Sequence, residues 1–110
     1  MRLFSIVIGL FLFATSAIAA AIPCAPDASE QAHKLLVFHM GEGFRDRMDF
    51  ELPVEKASIK NPANPKQIFK VLQVDGTVSP HGRYRMRFIF YPSSGSCLLM
   101  GQEILELANL

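Results

Sequence analysis

"GRYRMRFIFYPSSGSCLLMGQEILEL" (Gly82–Leu107) decides how this chain folds. Tyr84, Met86, Phe88 and Phe90 recur at every second place, and Arg83, Arg85 and Arg87 alternate with them. A period of two over this length marks a half-buried strand, here Arg83 to Tyr91. Pro92 to Ser96 carries turn chemistry, and Cys97 to Leu107 again reads as a strand. The two segments form an expected antiparallel hairpin. With Tyr91 opposite Cys97, Phe90 meets Leu98, Phe88 meets Met100, Met86 meets Gln102 and Tyr84 meets Ile104 on one apolar face. On the other face Arg85 meets Glu103 and Arg87 meets Gly101. A slip of one residue would exchange the faces of one strand.

Before the hairpin, Ser79-Pro80-His81-Gly82 is a turn. Gln67 to Val78 reads as a strand in which Asp75-Gly76 is a bulge or a tight turn. "KNPANP" (Lys60–Pro65) reads as a loop, because each proline biases its preceding asparagine toward extended backbone. From Phe44 to Val54, Met48, Phe50, Leu52 and Val54 fall on one side, with Arg45, Arg47, Asp49 and Glu51 on the other, again a half-buried strand. A helix over 28–40 precedes it. Asp27 is its expected cap, with Glu30 completing a capping-box pattern, and Gly41 and Gly43 end it. Val37, Phe38 and Met40 make this helix apolar on more than one side, so a sheet is expected to cover it.

The order is one N-terminal helix and then four strands joined mostly by short turns, which implies antiparallel neighbours. The expected fold class is α+β, a helix packed on a four-stranded antiparallel meander sheet. In topology alone this resembles the arrangement of cystatin-like folds. No inhibitor motif accompanies the resemblance, and fold does not imply function.

Residues 1–19 read as a cleavable signal peptide. Arg2 supplies a positive start, Leu3 to Phe13 an apolar stretch, and Ala17-Ile18-Ala19 an A-x-A site, with Ala21 as the second choice. A retained anchor and a lipoprotein acylated at Cys24 are the competing readings. Pro23 departs from the small residue that lipoprotein signals place before the cysteine. Cleavage removes 19 of 110 residues and leaves 91, at 20–110, a single small domain. Arg2 leaves with the leader, so ten of the eleven basic residues remain against ten acidic ones. That balance argues against nucleic acid as a partner and against electrostatic adhesion to anionic lipid. The expected location is periplasmic or secreted, with no transmembrane segment after cleavage. In such an oxidising compartment Cys24 and Cys97 are expected to form a disulfide. No C-x-x-C motif points to redox work.

Catalytic signals are weak. His33 and His39 lie six apart and do not share a helical face. His81 sits in a turn. No ligand-spaced pair suggests a metal, and no cofactor is implied. Ser93, Ser94 and Ser96 belong to a hairpin turn rather than a nucleophile elbow. Asp49 and Glu51 share a strand face with Arg45 and Arg47 close by, as a solvated surface would. The expectation is therefore a small binding, inhibitor or accessory protein that acts through the open face of its sheet, with Arg83, Arg85, Arg87 and Tyr91 as the recognition residues. Its partner would be another protein or an anionic ligand, which the planar fork of arginine suits. The alternatives are a small enzyme whose site assembles only in three dimensions and a structural subunit of an envelope complex. Against all of these, three arginines on an open sheet face also serve solubility.

Overall fold

The computed structural model describes residues 22–80 and 82–108. The expected signal peptide, both of its cleavage sites and His81 lie outside the described residues. Helix α1 (Ala25–Met40) and a short 3-10 helix (Glu42–Arg47) are followed by β1 (Met48–Phe50), β2 (Val54–Asn61), β3 (Asn64–Val78), β4 (Gly82–Ser93) and β5 (Ser96–Ala108). The fold is α+β, with α1 packed on one curled antiparallel sheet. β2, β3, β4 and β5 form a meander, and the short β1 shares with β2 the outer side of β3.

α1 starts at Ala25, three residues before the expected start. Pro26 fits the first turn, where an amide hydrogen has no helical partner anyway. Asp27 is thus inside the helix rather than its cap, placed where its charge suits the positive end of the helix dipole. At the other end Gly41, at φ 103°, donates its N–H to the Val37 carbonyl at 2.7 Å. Ala28, Ala32 and Leu36, spaced by four, are fully buried. They share one core with Leu72, Val74 and Val78 of β3 and Tyr84, Met86, Phe88 and Phe90 of β4. Burying Phe88 and Phe90 stabilises the fold by roughly 1.5–3 kcal/mol each. The sheet covers only one side of the helix: Phe38 is 87% exposed.

The strand expected over 44–54 is divided. Its first part is the 3-10 helix, in which side chains three apart eclipse. Arg45 there donates two hydrogen bonds to Glu42, both at 2.9 Å. Met48 and Phe50 do face the core, but Pro53 interrupts the ladder, and Leu52 and Val54 are exposed. β2 then begins a strand that the sequence pattern did not reveal. The expected loop over 60–65 is only the tip of the β2–β3 hairpin. Asn61 Oδ1 accepts from the Ala63 N–H at 2.9 Å, and Asn64 Oδ1 from the Lys66 N–H at 3.2 Å, as asparagine does in tight turns.

Asp75-Gly76 is neither bulge nor turn, for β3 pairs with β4 without interruption from Lys70 to Val78. Glycine is required there by packing. A Cβ on Gly76 would stand 3.3 Å from Leu36 Cδ2 and 3.4 Å from both Met86 Cε and Phe50 Cδ1.

The β4–β5 register also differs from the expected one. Pro92, not Tyr91, lies opposite Cys97, so Phe90 meets Leu99. Cys97 and Leu99 therefore face the core, and Leu98 and Met100 are exposed. A bulge follows at Met100, after which Phe88 meets Gln102, Arg87 meets Glu103 and Arg85 meets Leu105. The Cys24–Cys97 disulfide, with Cα atoms 5.8 Å apart, ties the start of α1 to the start of β5.

Candidate functional site

Alternation along β3 and β4 sends one set of side chains to α1 and the other to the helix-free face. On that second face Phe69, Val71, Gln73, Asp75 and Thr77 of β3 run beside Tyr91, Ile89, Arg87, Arg85 and Arg83 of β4. A flat open face would leave all of these solvated. Val71 and Gln73 are only 6% and 7% exposed. The sheet curls around them, and the result is a trough of about 720 Å³. Val71 and Ile89 form its floor, Gly101 contributes bare backbone, and Ile59, Lys56, Arg87 and Glu103 stand around it.

The four expected recognition residues all lie on this face, but they do different things. Arg85 is held by Asp75: its Nε and Nη2 donate to the two carboxylate oxygens at 3.0 and 3.1 Å. That hydrogen-bonded pairing, with the added attraction between the charges, raises the Arg85 pKa further above the ordinary guanidinium value. Arg87 Nε donates to Gln73 Oε1 at 3.1 Å, and Nη1 reaches Glu103 Oε1 at 3.5 Å. The expected Arg85–Glu103 pair is thus replaced by Arg87–Glu103, because the bulge at Met100 shifts the ladder. Arg83 is exposed and makes no ion pair among the described residues. It borders a smaller hollow with Asp49, Glu51 and Asp75. Tyr91 stands at the opposite end, edge-on to Phe69 with ring centroids 6.0 Å apart. Only Arg87 of the four lines the trough.

Lys56, Ile59, Val71, Gln73 and Gly101 were not foreseen. β3 did carry a signal. "VLQV" (Val71–Val74) has apolar residues on both faces, a mark of a strand buried on two sides. β2 offered none, since seven of its eight residues are exposed.

The trough can take up an apolar side chain on Val71 and Ile89, while Lys56 and Arg87 offer positive charge to a neighbouring carboxylate. The helix histidines point elsewhere. His33 stacks on Phe50 at 4.0 Å between ring centroids, and His39 meets Tyr84 edge-on at 5.5 Å. Among the described residues no group of three or more histidine, cysteine, aspartate or glutamate side chains could hold a metal ion. No protein-family model, no curated protein and no solved structure matches the chain.

Proposed function

We propose that this chain is an exported binding protein, inhibitor or accessory factor that receives an apolar side chain with an adjacent carboxylate, presented by another protein, in the trough of its sheet. The observation that carries this reading is the burial of Val71 and Gln73 on the face that no helix covers. An apolar floor flanked by arginine and lysine combines the residue types that give interfaces their affinity with charges that set orientation. Arg87 is the anchor in this reading, Arg83 and Tyr91 flank it along β4, and Arg85 holds the sheet through Asp75. The disulfide fits an oxidising location, and among the described residues no helix is long and apolar enough to cross a membrane. A disulfide-braced sheet is also a rigid platform, which lowers the ordering cost of binding.

A photo-reactive residue at Ile59, on the trough, should cross-link a partner from periplasmic or culture-medium protein, and one at the exposed Asp46, in the 3-10 helix, should not. Adding Ile89→Ser with Arg87→Ser should remove the Ile59 product and leave the circular dichroism spectrum unchanged. Equal products from both positions, or a product that survives the double substitution, overturns the reading.

A further inference from the structure

The two outer strands of this sheet are treated differently. On one side β2 is guarded as edge strands usually are. It carries Lys56 and Lys60, is bounded by Pro53 and Pro62, and is irregular between Lys56 and Ile59. On the other side β5 runs for 13 residues and pairs only with β4 among the described residues. It contains no lysine, arginine or proline, and Leu98, Met100, Leu105 and Leu107 are exposed along it. Beside this edge, on the helix side of the sheet, lies a hollow of about 320 Å³ between Gln102 and the α1 residues Gln31, Lys34, Leu35 and Phe38. A bare ladder edge next to an apolar hollow is the setting in which an added strand gains both backbone hydrogen bonds and side-chain burial.

We propose that β5 pairs antiparallel with β5 of a second copy of this chain, centred on Ile104, to form a two-fold dimer with one continuous sheet. Charge, together with the bulges at Met100 and Leu107 of β5, selects this centre. A two-fold normal to the sheet must place one residue opposite its own copy. Glu103 at the centre would face another Glu103, which like-charge repulsion disfavours. Centres at Gly101 or Gln102 run the Met100 bulge into the new ladder, and a centre at Leu105 runs the Leu107 bulge into it opposite Glu103. With Ile104 at the centre, Ile104 meets Ile104, Glu103 meets Leu105 and Gln102 meets Glu106, all within the regular stretch between the bulges at Met100 and Leu107. No acidic residue faces another in this segment. Lys34, which borders the hollow with Gln102, is then placed beside Glu106 of the second copy. The two helices lie on the same side of the joined sheet, one on each side of the seam. That arrangement gives the two Phe38 rings, each 87% exposed in the single chain, a place to bury.

Sedimentation equilibrium of the oxidised mature chain should show a monomer–dimer equilibrium. Phe38→Glu, a change at an exposed position, should raise the dissociation constant at least about tenfold and leave the circular dichroism spectrum unchanged. Ile104→Cys should form a disulfide with its own copy under mild oxidation, because directly opposed residues of a ladder lie within bridging distance. Leu98→Cys, on the same strand but away from the centre, should not. A chain that remains monomeric at every concentration overturns the proposal. So does a dimer that is indifferent to Phe38→Glu and cross-links at Leu98 rather than Ile104.

Discussion

Arg85 and Asp75 stand directly opposite each other on neighbouring strands, and their pairing shows what alternating arginines do in this sheet. The Asp75 side chain is 14% exposed, so it needs a partner fixed in place, and the planar guanidinium supplies two hydrogen bonds at once. Arg87 donates one hydrogen bond, from Nε, to Gln73, which is buried, and turns Nη1 to Glu103. Part of what looked from the sequence like a ligand-ready surface is therefore internal bracing of the helix-free face. Behind the arginines, Tyr84 is buried against α1, and its phenol is pushed above the ordinary value of 10.0, chiefly by burial and further by the charge of Glu106. In the unfolded chain that phenol ionises near pH 10. The folded form thus keeps a proton that the unfolded form has begun to lose. Its contribution to stability is complete below about pH 10 and falls as the pH rises from there toward the folded pKa. Tyr84→Phe should flatten the decline of melting temperature above that pH and remove the late phenol step from an absorbance titration. Identical alkaline profiles for the two proteins would contradict this account of Tyr84.

The hairpin of β4 and β5 was legible because Tyr84, Met86, Phe88 and Phe90 keep strict period-two alternation under a helix. Its register was not, because a bulge at Met100 leaves no trace in a pattern of polar and apolar residues. β2 was hidden for a different reason. A strand exposed on nearly every residue has no buried face to impose alternation, and its pairing with β3 is decided by the Asn61–Asn64 turn. The trough depends on both of these elements, so the sequence pointed to the helix-free face of the sheet but to only one of the residues that line the hollow, Arg87. Gly76 was misread because close approach of a helix and a turn both select glycine. Substitution separates the two causes. Gly76→Val would drive its methyl groups into Leu36, Met86 and Phe50, and overpacking of this kind costs about 1–3 kcal/mol. Urea denaturation should show a lower midpoint. An unchanged midpoint would mean that α1 can lift from β3 at little cost, and that the alanine stripe at Ala28 and Ala32 is not what sets its depth.

At the scale of the whole molecule the core is small, and one covalent bond spans most of the chain. Cys24 and Cys97 are separated by 73 positions, and the bond joins the first residue before α1 to the last strand of the sheet. Closing a loop of that length removes chain entropy from the unfolded state worth about 4 kcal/mol in the loop-closure model. Domains of this size are often only about 5–10 kcal/mol stable, so the bond carries a large share of the total. It also has a local effect. Cys24 holds the left-handed backbone conformation at φ 68° before Ala25 and makes no side-chain cap, so the sulfur bridge fixes a helix start that sequence chemistry leaves weak. Replacing both cysteines by serine should therefore lower stability by about 4 kcal/mol and also act unevenly. Amide exchange should quicken first in the first turns of α1, near Ala28 and Ala32, while the β3–β4 ladder from Leu72 to Val78 stays protected until global unfolding. Mass spectrometry after alkylation without reductant should find no free thiol in the wild-type chain. If the double variant melts as the wild type does, the sheet and helix hold together without the bridge, and the link between this fold and an oxidising compartment loses its physical basis.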